Sequence, residues 1–190
     1  MSGTILDLTD LLNKIHNADS DTSIATLLAQ IERNPDDARL FFLLGAEHAE
    51  NNQFDAAEAA YICALNRAPD FSIARFQLGL FQFLQQRVAT ALANWEPLLI
   101  LPREHFLHVF VLAFEALVKQ EKNKAIDLFR EGMELNKENP PLNANINTFI
   151  KNTLKKSADN GTENTSANNS ESEIENDASV LFQMSAYREH

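Results

Sequence analysis

The sequence repeats itself every 34 residues, and a fixed period of that length restricts the fold to a stack of similar supersecondary units. A step of 34 from Leu44 lands on Leu78 and then Leu112. The same step joins Phe42, Phe76 and Phe110, then Ala57, Ala91 and Ala125, then Tyr61, Trp95 and Phe129. All four columns keep register without a gap. Two helices fit one period, which places them at 38–51 and 54–67, 72–85 and 88–101, and 106–119 and 122–135. Small residues at Gly45, Gly79 and Ala113, with the alanine column opposite, let paired helices approach closely, and the large aromatic column fills the remaining space. Asn51-Asn52, Gln85-Gln86 and Glu121-Lys122 supply short polar turns, and Pro69-Asp70 halts the first repeat.

This pattern resembles the tetratricopeptide-repeat (TPR) family, whose 34-residue unit carries W-x₂-L-G-x₂-Y, then A-x₃-F, then P. The matching positions are Phe41, Leu44, Gly45, His48, Ala57, Tyr61 and Pro69 in the first repeat. In the second they are Arg75, Leu78, Gly79, Gln82, Ala91 and Trp95, and in the third Val109, Leu112, Ala113, Ala116, Ala125 and Phe129. The resemblance covers residues 36–139, divided as 38–71, 72–105 and 106–139. It implies an all-α fold, an α-solenoid of three helix hairpins with an N-terminal helical cap, a C-terminal capping helix and a disordered tail. Pro97 departs from the pattern. A proline inside a helix costs about 3 kcal/mol unless the helix bends or restarts, so a bend is expected near Glu96, with Leu98–Leu101 still buried.

Solenoid ends need polar-faced caps. Residues 1–35 supply a helical pair with apolar spacing at Ile5, Leu8, Leu12 and Ile15, then Ile24, Leu27, Leu28 and Ile31. At the other end, 140–156 forms a capping helix begun by Pro140-Pro141, with Leu142, Ile146, Phe149 and Ile150 on one face. Residues 157–178 are rich in Asn, Ser, Thr, Glu and Asp, a composition that leaves a linker disordered. Apolar character returns in 179–190 with Val180, Leu181, Phe182, Met184 and Tyr187, as in a short binding segment.

In the family the first helix of each repeat lines a concave groove. Carried onto this chain, the groove positions are Arg39, Phe42, Ala46, Ala49 and Glu50; Ile73, Phe76, Leu80, Phe83 and Leu84; and Leu107, Phe110, Phe114, Leu117 and Val118. Two repeats of this groove are apolar, so either the phenylalanines pack on one another or on a terminal helix, or the groove holds an apolar polypeptide segment. The carboxylate-clamp activity known in the family is not supported, because Phe42 and Ala46 stand where its Lys and Asn belong.

A net charge of −11 argues against nucleic acid and anionic membrane as partners, and no segment is apolar for long enough to span a bilayer. The single cysteine, Cys63, excludes an intramolecular disulfide and is expected in the core. With no basic, apolar leader at the N-terminus, the expected location is cytoplasmic. Glu104, His105 and His108 are spaced like metal ligands but lack a third strong ligand, so a helix-start role is expected, with no metal, cofactor or catalytic residue. The function expected is non-enzymatic binding of an apolar protein segment, as adaptor or scaffold, with residues 179–190 able to occlude the groove. The alternatives are a dedicated chaperone similar to those of type III secretion, and a homo-oligomer with swapped tails.

Overall fold

The computed structural model describes residues 8–159, with side chains as far as Lys151. All the regular structure among them is helical: α1 Leu8–His16, α2 Ser20–Arg33, α3 Ala38–Glu50, α4 Phe54–Arg67, α5 Ser72–Leu84, α6 Val88–Trp95, α7 Phe106–Val118, α8 Lys122–Leu135 and α9 Pro140–Asp159. A 3-10 turn at Glu96–Ile100 follows α6. The helices pack as successive hairpins, α3 on α4, α5 on α6 and α7 on α8, and each hairpin rests on the next. The result is the α-solenoid expected from the period, with α1 and α2 at one end and α9 at the other.

The repeat is written into the turns as well as the core. Asn52, Gln86 and Gln120 each take a left-handed conformation, with φ of 58°, 63° and 61°. The next residue in each case bonds back to close the preceding helix: Gln53 N–H to His48 O at 2.8 Å, Arg87 N–H to Gln82 O at 2.9 Å and Glu121 N–H to Ala116 O at 2.9 Å. This is the six-to-one bond of a Schellman ending, made three times at the 34-residue spacing. In the third repeat it puts the turn at Lys119-Gln120, two residues ahead of the expected Glu121-Lys122.

Close helix approach depends on the small residues. A Cβ on Gly45 would stand 2.8 Å from the Tyr61 ring, and one on Gly79 would stand 2.2 Å from Trp95 Nε1. The Trp95 indole is fully buried and donates to Phe76 O at 3.0 Å, so its one polar atom is satisfied. Gly132 does the same for Phe110, at 2.4 Å, although its column carries no glycine elsewhere.

Pro97 acts earlier than a bend would. Helix α6 stops at Trp95, and the chain tightens into the 3-10 turn instead of continuing as α-helix to 101. Leu98 is buried, as expected, but Ile100 is 87% exposed. Ile100 falls in the same column as Asn66 and Glu134, which are exposed on α4 and α8, so this position faces outward in all three repeats. Residues 140–159 form one helix, three residues longer than expected. Its start is held by Asn139, whose Oδ1 accepts from Leu142 N–H at 3.1 Å, with Pro140 just inside the cap. Of the linker expected at 157–178, residues 157–159 close α9 instead, and its remainder lies outside the described residues, as does the apolar segment 179–190.

Candidate functional site

The first helices α3, α5 and α7 line one side of the stack, and the groove positions on them divide into two sets. Phe42, Phe76, Leu80, Leu84, Leu107, Phe110 and Phe114 are buried, so the expectation that they line an open groove is corrected. Ala46 and Ala49 are buried with them. The physical reason is ring pairing within each repeat. Phe42 lies 5.9 Å from Tyr61, Phe76 lies 5.8 Å from Trp95, and Phe110 lies 6.3 Å from Phe129. The phenylalanine column therefore belongs to the hairpin core, completing the aromatic column of the second helices.

The other set stays accessible. Ile73, Phe83 and Leu117 are half-buried, Val118 is 41% exposed, and Arg39 is exposed. Arg39 forms an ion pair with Asp37 at 2.6 Å, which holds that carboxyl below its usual range mainly through the hydrogen bond between them. It is thus engaged at the start of α3 and stands apart from the rest. Glu50 is half-buried near the Tyr61 hydroxyl, whose ionisation is suppressed first by burial and then by that carboxylate.

Phe114 organises what remains into a strip. Its fully buried ring touches Trp95 at 4.8 Å and Phe129 at 5.0 Å below. Phe83 from α5 meets it edge-on at 5.0 Å, and Phe149 from α9 meets it at 5.5 Å. Leu117 and Val118 follow one helical turn after Phe114, on the same side of α7. Phe83, Leu117, Val118 and Phe149 together form a partly exposed apolar edge on a rigid aromatic base. Phe149 was read only as a capping residue, although α9 starts 34 residues after α7, in the place of a further first helix.

The polar side of the site is structural. Gln82, buried, donates to Glu58 Oε1 at 2.8 Å, and Arg87 donates to Glu58 Oε2 at 2.7 Å, tying α5 and the α5–α6 turn to α4. Burial raises the Glu58 pKa, but the bonds from Arg87 and Gln82 outweigh it and hold the carboxylate below its usual value. His105 caps α7, its Nδ1 accepting from Leu107 N–H at 3.2 Å, and His108 bonds Leu101 O at 2.9 Å. Both histidines thus serve the helix start. Cys63 is half-buried instead of lying in the core. Among the described residues no three potential ligands cluster for a metal, and no helix is long and apolar enough to cross a membrane.

No protein-family model and no curated protein matches the chain. Solved structures do. The crystal structure of MamA is 16% identical, with a TM-score of 0.53 over 68% of this chain and 78% of that one. MamA 41-end from Desulfovibrio magneticus RS-1 is 14% identical, with a TM-score of 0.54 over 84% of this chain and 94% of that one. A MamA RS-1 double mutant gives a TM-score of 0.54 at 14% identity. The chain has a TPR-like solenoid fold.

Proposed function

We propose that the protein is a non-enzymatic interaction module whose edge at Phe83, Leu117, Val118 and Phe149 takes up an apolar polypeptide segment. The observation that carries this is the pairing of half-exposed Phe83 and Phe149 across one buried ring, Phe114. A rigid base with accessible apolar rims suits anchor residues, each contributing roughly 1.5–3 kcal/mol when fully buried. The TPR-like fold supports a scaffold role, because such solenoids use extended faces of this kind for protein partners. One suitable segment is in the chain itself, at 179–190, where its apolar residues would occlude the edge. A photoreactive p-benzoylphenylalanine at position 118, compared in living cells with one at position 62, tests the proposal. Ile62 is 42% exposed on α4, so exposure is matched and only the surface differs. Cross-links to polypeptide from 118 well above those from 62 are expected, and equal yields would refute the site.

A further inference from the structure

Successive hairpins meet through the same repeat positions but not through the same chemistry. Between the second hairpin and the third, α7 meets α5 and α6 through rings. Phe114 lies 5.0 Å from Phe83 and 4.8 Å from Trp95, and Phe76 lies 5.8 Å from Phe110. Leu92, Val111, Ala116 and Leu128 in these two hairpins are all buried or half-buried. A step of 34 back along the chain replaces those four residues by Glu58, Gln77, Gln82 and Asn94.

The joint between the first hairpin and the second is therefore polar. Gln82 Nε2 donates to Glu58 Oε1 at 2.8 Å, and Arg87 Nη2 donates to Glu58 Oε2 at 2.7 Å. Asn94 Nδ2 donates to Gln82 Oε1 at 2.5 Å, so the chain of bonds runs from α6 through α5 to α4. Gln77 lies one turn before Phe81, on the side of α5 where that ring meets Phe54 of α4 at 5.9 Å. Rings contribute here too, at Phe81 and where Phe71 meets Phe42 at 5.3 Å. Two polar atoms are left over. Gln77 Oε1 and Arg87 Nε are buried and have no hydrogen-bond partner among the described residues.

Opening the two joints has different consequences. Parting the second exposes apolar surface to water, which is opposed in proportion to the area. Parting the first exchanges the bonds on Glu58 for bonds to water, with little net loss. The Glu58 and Arg87 side chains are already 21% and 38% exposed, so water is at hand for that exchange. Gln77 Oε1 and Arg87 Nε even gain, since each reaches water only when the joint parts.

We infer that the solenoid hinges at this joint, with α1–α4 and α5–α9 moving as two bodies about the contact of Glu58 with Gln82 and Arg87. The inference does not rest on the proposed binding edge, which lies wholly on the second body. The motion leaves that edge intact and swings α3 toward it or away.

The test places nitroxide labels on a column that the repeat supplies. Ala59, Ala93 and Asp127 are one period apart and exposed, on α4, α6 and α8. In the full chain with Cys63→Ala, A59C/A93C spans the polar joint and A93C/D127C the apolar one. Double electron–electron resonance is expected to give a distance distribution about twice as wide across the polar joint as across the apolar one. Glu58→Gln, which removes the charge that Arg87 holds, should widen the first distribution further. E58L/Q77V/Q82A/N94L, which copies the second joint into the first, should narrow it to match the second. Equal widths without these substitutions would overturn the inference, whether or not the fourfold variant folds. A first distribution that stays equally wide in Glu58→Gln, or in a folded fourfold variant, would overturn it too, since the polar residues would not be its cause.

Discussion

At the residue scale, two positions in the second repeat act in opposite directions on stability. Gln86 sits at φ 63°, where a side chain clashes with its own backbone, a strain of roughly 1–2 kcal/mol that glycine avoids. Part of that gain is lost to the greater freedom of glycine in the unfolded chain. Gln86→Gly is therefore expected to stabilise by about 0.5–1 kcal/mol, raising the melting temperature by a few degrees. Gln85→Gly, one residue earlier at φ −80°, should lower it. Gly79→Ala works on space. Its new methyl would stand 2.2 Å from Trp95 Nε1, and the indole cannot retreat without breaking its bond to Phe76 O. A loss of about 3 kcal/mol or more is expected by denaturant titration.

At the element scale, the start of α7 is pH-sensitive because its cap is a histidine. Burial lowers the His105 pKa first, and nearby His108 adds to this while Glu138 opposes it. Protonated, the ring loses the acceptor for Leu107 N–H and sets a positive charge at a helix N-terminus. Between the lowered folded value and about 6.5, the unfolded chain binds more protons, so stability falls as pH drops through that window. His105→Ser keeps an acceptor at the cap without the titration. Relative to the parent chain, it is expected to be more stable at pH 5.5 than at pH 7.5, and a pH-independent difference in melting temperature would show that His105 does not carry the effect. The helices themselves were legible in the sequence because period, turn residues and caps agreed, as at Asn51-Asn52 and Pro140-Pro141. The exposure of Ile100 was legible as well, because the period sets it in the column of the polar Asn66 and Glu134, whereas whether Pro97 bends the chain or tightens it was not. The burial of Phe76 and Phe110 was hidden for a related reason. Spacing assigns a residue to a helix face, but whether that face meets solvent depends on the bulk opposite, and here Trp95 and Phe129 fill it.

At the scale of the whole molecule, a solenoid distributes stability between neighbours, since each hairpin contacts only those beside it. Helix α9 is the last neighbour, and Phe149 bridges it to Phe114 at 5.5 Å and Phe129 at 5.9 Å. Phe149→Ala removes the contact that covers both rings. Full burial of a phenylalanine would put the loss at about 3–5 kcal/mol, and half-burial brings it to about 2 kcal/mol. The loss should not spread evenly. Hydrogen exchange in α7 and α8 is expected to accelerate most, α5 and α6 less, and α3 and α4 hardly at all, because coupling weakens with each interface crossed. Uniform acceleration along the chain would mean that the stack unfolds as one cooperative block. The gradient also bears on binding. If the hairpin that carries Leu117 and Val118 is stabilised chiefly by α9, the binding edge lies on the part of the solenoid that opens first, and a partner seated on Phe83, Leu117 and Val118 should protect α7 and α8 beyond the residues it touches.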